Sequence, residues 1–168
     1  RQTIFDRKTD PWAELGEALD DAPPDTVIAV DAAGKIPYFS ELTAIDMYGL
    51  TDRMVAESDP GRFVPGHSKV NREYIVTREP DLVITHLDLE LNTPVFLKRE
   101  NYLRRGYKLA YMLYLGAENP EHGSLIDVRG LAPKLKERWC IRGYTYGILS
   151  KVDLDLPDAY PAAQYSRS

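Results

Sequence analysis

The stretch Thr26-Val27-Ile28-Ala29-Val30-Asp31-Ala32-Ala33-Gly34-Lys35 decides the fold. Its first half, Thr26 to Val30, is a short apolar, β-branched run of the kind that a sheet buries on both faces. Asp31 to Gly34 then turns the chain, and a short helix is expected around Ile36 to Ser40, with Pro37 in its first turn. Upstream, Thr9 or Asp10 can cap a helix that has Pro11 at its first position, where the missing N–H costs nothing. Trp12, Leu15 and Leu19 fall on one face of that helix, and Ala22-Pro23-Pro24-Asp25 ends it.

Downstream the alternation continues. Thr43 to Ile45 is a second strand, and Asp52 is placed to cap a short helix through Glu57. Asp59-Pro60-Gly61 and Pro65-Gly66 bracket an irregular loop. Asn71 caps the next helix, which turns Tyr74 and Ile75 inward, and Leu82 to Thr85 forms a third buried strand. Strands alternating with helices predict an α/β fold, a three-layer sandwich with a mainly parallel central sheet. The second half is mixed: Tyr107 to Leu115 reads as a strand, Leu131 to Arg142 as an amphipathic helix, and Tyr144 to Val152 as a late strand. Residues 1–155 are expected to form a single α/β domain, with 156–168 a loosely ordered tail.

The composition narrows the function. With 168 residues, 43% hydrophobic and 28% charged, the chain is large enough to build a core without metal or disulfide staples. The 26 acidic residues outnumber the 21 basic ones, and the resulting charge of -5 repels nucleic-acid phosphates, so no nucleic-acid partner is expected. The single Cys140 forms no internal disulfide, and with three scattered histidines there is no zinc-ligand spacing, so neither metal nor cofactor is expected. The longest apolar run, Leu109 to Leu115, has the length of a strand and is too short to span a membrane. The chain opens at Arg1 with no initiator methionine, as a processed product or a part of something longer would.

Three turns carry candidate binding residues. Asp31, Gly34 and Lys35 follow a strand and precede a helix, where open α/β sheets bind ligands, although Gly34 and Asp31 equally suit plain turn chemistry. The spacing is neither a phosphate loop nor a dinucleotide fingerprint. Asp46 and Asp52 set two carboxylates around a glycine turn, able to flank a sugar or to serve as strand-end and cap residues; the calcium-loop pattern is missing. His67 and Lys69, in Pro65-Gly66-His67-Ser68-Lys69, offer an imidazole and an ammonium suited to phosphate or sugar hydroxyls. No nucleophile elbow is present, and no catalytic residue is assigned. The series Tyr102, Tyr107, Tyr111, Tyr114, Tyr144 and Tyr146 can stack on sugars or fill the core. Arg104-Arg105 and Lys134 to Arg138 read as basic patches suited to an anionic membrane surface.

Val30-Asp31-Ala32-Ala33-Gly34-Lys35-Ile36-Pro37-Tyr38-Phe39-Ser40, followed by Thr43-Ala44-Ile45-Asp46-Met47-Tyr48-Gly49-Leu50-Thr51-Asp52, resembles the soluble C-terminal region of polytopic bacterial membrane glycosyltransferases of the GT-C superfamily. The mycobacterial terminal arabinofuranosyltransferase family is among them. Pro65 to Lys69 and Pro80 to Ile84 continue the pattern, which covers roughly Trp12 to His86. The resemblance implies a polyprenyl-phosphate sugar donor, a catalytic carboxylate in membrane loops outside this chain, and an extracytoplasmic, periplasmic location. It makes this domain a non-catalytic accessory that faces a glycan acceptor or lipid-linked sugar and reaches the membrane through an upstream transmembrane region. Two other readings remain: a stand-alone α/β enzyme or binding protein for a small phosphorylated or nucleotide ligand at Asp31 to Gly34, and a protein-docking domain, should Tyr107 to Leu115 be an exposed edge strand.

Overall fold

A computed structural model describes residues 10–31, 34–49, 53–57, 72–88, 93–94, 105–116 and 120–165. Helix α1 (Pro11–Ala18) starts where its capping chemistry lies. The Asp10 carboxylate accepts from the N–H groups of Trp12 at 3.1 Å and Ala13 at 3.3 Å, and Pro11 occupies the first turn. A 3-10 turn (Leu19–Asp21) tightens its end ahead of the prolines. The chain continues through β1 (Val27–Val30), α2 (Lys35–Ser40), β2 (Thr43–Asp46), α3 (Arg53–Ala56), α4 (Arg72–Thr77), β3 (Leu82–Asp88) and β4 (Thr93–Pro94). It ends with β5 (Lys108–Leu113), β6 (Leu125–Asp127), α5 (Pro133–Ile141), β7 (Tyr146–Ser150), β8 (Tyr160–Pro161) and α6 (Ala162–Tyr165).

The strands form one mixed sheet in the order β2-β1-β3-β7-β5-β6-β8, with β4 paired to β3. The parallel pairing expected from the alternation is found at β2-β1-β3, where Val30 lies opposite both Asp46 and Ile84. Beyond β3 the pairs β3/β7, β7/β5 and β5/β6 are antiparallel, and only β8 returns parallel, to β6. The physical reason lies in the connections: β1 reaches β2 through a helix, as a parallel crossover requires, whereas β7 runs back beside β3 and β5 in the opposite sense.

Each strand side carries its own core. Ile28, Val30, Leu82, Ile84 and Ile148 pack in one cluster with Leu15, Leu19 and Ile36, so α1 and α2 cover that side. Ala29, Ile45, Val83 and Leu149 pack in the other with Ile75, Trp139 and Cys140, from α4 and α5. Burial on both sides is why β1 is apolar throughout instead of alternating. Gly16 makes the α1–α2 contact possible, because a Cβ there would stand 2.7 Å from Phe39 Cβ and 3.0 Å from the Ile36 carbonyl oxygen.

One expectation changes, and two readings left open by the sequence are decided. Tyr107 to Leu115 is not an edge: β5 lies between β7 and β6, so its backbone groups are already engaged in ladders on both sides, and an edge strand free for docking is not found there. The tyrosines Tyr107, Tyr111, Tyr144 and Tyr146 are buried, and their hydroxyls donate to the carbonyls of Pro80, Leu154, Gly123 and Ile84. They are core residues whose polar ends are satisfied, not a sugar platform. The segment expected to be a loose tail is packed as far as Ala162: Leu156 and Ala162 are buried, and β8 joins the sheet. Leu156 N–H donates to the Tyr111 hydroxyl at 3.1 Å, tying the segment to β5.

Candidate functional site

Parallel strands deliver their following loops to one end of a sheet, and here β1, β2 and β3 bring Asp31, Asp46 to Tyr48 and His86 together. The backbone ladder runs on past the strands: Asp31 N–H donates to the Ile84 carbonyl at 3.3 Å, and Met47 N–H to the Val30 carbonyl at 2.9 Å. Asp31 is therefore held between the chain after β2 and the last turn of β3.

Its carboxylate is nearly enclosed, with 2% of the side chain exposed. Oδ2 accepts from Thr85 Oγ1 at 3.0 Å, from His86 N–H at 3.3 Å and from His86 Nδ1 at 3.1 Å. A carboxylate only accepts, so Nδ1 is the donor, and in the neutral imidazole Nε2 carries the lone pair. Oδ1 accepts from no side chain or N–H group among the described residues. The His86 side chain is 53% exposed and its ring meets that of Tyr146 edge-on at 4.7 Å, while Trp12 packs edge-on against the same Tyr146 at 4.5 Å. Burial and the nearby Asp31 charge push the Tyr48 hydroxyl up to about 12, so it remains a protonated donor at neutral pH.

Asp46 is buried and its Oδ1 accepts from Tyr48 N–H at 2.9 Å, while Gly49 N–H donates to the Asp46 carbonyl at 3.2 Å. The turn this closes needs the positive φ of Gly49, 74°, and it is what aims Tyr48 toward Asp31. Asp46 thus shapes the turn at the strand end. Gly34 precedes α2 with nothing within 4 Å of where a Cβ would stand. The Lys35 ammonium pairs with Asp10, which ties α2 to the cap of α1. Asp52, His67 and Lys69 lie outside the described residues, as do the cap position Asn71 and the basic residue Arg104.

Thr85, His86 and Tyr48 were not singled out by the sequence as site residues. Only the strand register reveals them, because a Thr-His pair at the end of an apolar strand gains meaning from the carboxylate opposite. The Asp31–His86 pair resembles the back half of a catalytic triad, yet His86 Nε2 meets no hydroxyl or thiol among the described residues. Cys140 is buried on α5, and burial pushes its thiol up to about 11, which leaves it inert at neutral pH. No group of three or more His, Cys, Asp or Glu side chains suited to a metal ion occurs among the described residues. What remains is a rigid acceptor, an oriented imidazole and a phenol donor, with aromatic rings behind them.

A family model matches residues 2–144. The chain belongs to that family, the domain of unknown function DUF8728. The match takes in the whole Asp31–Tyr48–His86 arrangement and α5, and it ends just before β7. No curated protein and no solved structure matches the chain. Among the described residues no helix is long and apolar enough to cross a membrane.

Proposed function

We propose that this DUF8728 domain is a non-catalytic, carbohydrate-facing accessory domain of a polytopic, extracytoplasmic membrane glycosyltransferase that uses a polyprenyl-phosphate sugar donor. In this reading the sheet is the middle layer of a three-layer sandwich, and its parallel part, β2-β1-β3, presents the site. One observation carries it: the enclosed Asp31 carboxylate, which also accepts from Thr85, holds Nδ1 of the half-exposed His86 imidazole, so that Nε2 serves as an oriented acceptor near the Tyr48 donor. Sugar hydroxyls donate and accept at once, so a fixed acceptor beside donors suits them better than it suits an anion, which the Asp31 charge would repel. Lys35, the cation an anionic ligand would need at this turn, is engaged with Asp10. The motif series that resembles the glycosyltransferase region maps onto these same turns.

The test is made in the full-length gene product. After carbonate washing it should stay with membranes, with this domain on the protease-accessible extracytoplasmic side. Asp31→Asn should reduce glycan transfer several-fold while leaving the enzyme folded and able to bind its lipid donor. A cytosolic, carbonate-soluble product, or transfer untouched by Asp31→Asn and Tyr48→Phe together, would overturn the proposal.

A further inference from the structure

A second concave site lies at the other end of the sheet. Leu82 pairs with Ser150, and His86 with Tyr146, so the two sites sit at opposite ends of the β3/β7 pair, roughly 13 Å apart along the strand. The cavity has a volume of about 400 Å³, within the range of small-molecule sites, and opens between the start of β5, the end of β7 and helix α5. Lys108, Arg129, Lys136 and Lys151 line it, against the single carboxylate of Asp153.

These cations are not equivalent. Arg129 is neutralised, because its guanidinium holds Asp127 at 2.8 Å and Asp155 at 2.9 Å and donates to the Leu154 carbonyl at 2.6 Å. Among the described residues no carboxylate lies within ion-pair distance of the three lysines. Lys136 Nζ donates to the Leu109 carbonyl at 3.0 Å, at the bulge in β5, which uses one of its three protons. Lys151 Nζ donates to the Glu79 carbonyl at 3.0 Å and lies 5.8 Å from the centre of the Tyr107 ring. Among the described residues the Lys108 side chain makes neither a hydrogen bond nor a ring contact. A half-buried ammonium is costly to maintain, and burial, partly offset by the Asp127 charge, holds Lys136 below the ordinary lysine range. With Arg129 set against Asp127, Asp153 and Asp155, the three ammonium groups leave about one net positive charge around the cavity, opposite in sign to the -5 of the whole chain.

We infer that this cavity, bounded by Lys108, Lys136 and Lys151, is a binding site for a phosphomonoester, separate from the site at Asp31. A phosphomonoester carries about two negative charges at neutral pH and three acceptor oxygens, and lysines serve phosphate as point charges. Its oxygens give acceptors to the spare Lys136 protons and to the ammonium groups of Lys108 and Lys151. Leu109, Ala110, Val152 and Leu154 supply an apolar wall for the organic part of the ester. The phosphate could belong to a soluble metabolite or to a lipid headgroup, since both present the same chemistry.

Isothermal titration of the 168-residue chain with inorganic phosphate and with glycerol 3-phosphate tests the site, alongside co-sedimentation with phosphatidylcholine vesicles with and without phosphatidic acid. Millimolar binding of the soluble phosphates identifies a metabolite site, and binding confined to phosphatidic acid vesicles identifies a headgroup site. Either should weaken about tenfold in Lys136→Met and several-fold in Lys108→Gln, and persist in Asp31→Asn. The Lys108 side chain is exposed, so its variant should fold even if Lys136→Met does not. Absence of binding to every probe, or binding unchanged in Lys108→Gln and in whichever Lys136 variant folds, would overturn the inference.

Discussion

Asp31 organises the carboxyl end of the parallel strands because one of its oxygens gathers three donors from β3. Removing the carboxylate leaves the enclosed Thr85 hydroxyl without its acceptor, and a buried donor left unmade costs about 1–3 kcal/mol. Asp31→Ala should therefore lower the urea midpoint. Thr85→Val should cost less when Asp31 is already alanine, a coupling of about 1 kcal/mol in a double-mutant cycle. Additive effects would show that the hydrogen bond contributes nothing. The sequence made Asp31 visible, since an acidic residue at a strand end before a glycine turn has few roles. Thr85 and His86 were not visible in it, because their relation to Asp31 spans more than fifty residues and depends on β1 and β3 being neighbours.

At the scale of elements, α1 is set by its first turn and by its closest neighbour. Asp10 caps it and pairs with Lys35; burial works against the Asp10 charge, but Lys35 and the two capping N–H groups outweigh it and hold the carboxyl below its ordinary value. The stability this supplies is present above the unfolded carboxyl range near 3.8 and is lost as the pH falls through the lower folded value. Asp10→Ala should cost about 1 kcal/mol at neutral pH and flatten the acid limb of the stability curve. Gly16→Ala should cost about 1–3 kcal/mol although it favours helix, because the new methyl meets the backbone and Cβ of α2. A neutral or stabilising Gly16→Ala in a denaturant titration would show that α1 can lift from α2. Helix starts were legible since capping is local, as Asp10 and Pro11 show. Strand partners such as β7 beside β3 were not, because the antiparallel return depends on where the chain goes after an interval of sixty residues.

At the scale of the whole molecule, two tyrosines tie the second half of the chain to the first, Tyr107 donating to the Pro80 carbonyl and Tyr146 to that of Ile84. Tyr107 reaches Pro80, Tyr144 reaches Gly123 and Tyr48 faces Asp31, and burial raises all three hydroxyls from 10.0 to about 12. With folded values above unfolded ones, their contribution to stability is full below about pH 10 and is lost as the pH rises toward 12. The urea midpoint should fall across that interval, and phenolate absorbance should show a late group of tyrosines. Titration of all eleven tyrosines near 10 would contradict the packing. The alternation of strands and helices made the α/β class and the parallel β2-β1-β3 part legible. The packed segment beyond Leu156 was hidden because its prolines and polar residues conceal Leu156, Ala159 and Ala162, three small anchors too sparse to show periodicity.

The central claim is a sugar-facing site at the ends of β1, β2 and β3. It is tested most directly by titrating the isotope-labelled chain with arabinan and mannan oligosaccharides while following backbone amides and the His86 imidazole by NMR. Together, Gly34, Gly49 and His86 should shift at millimolar ligand, and Asp31→Asn should abolish the response. No shift at that concentration, or shifts confined to residues 105–165, would contradict the account.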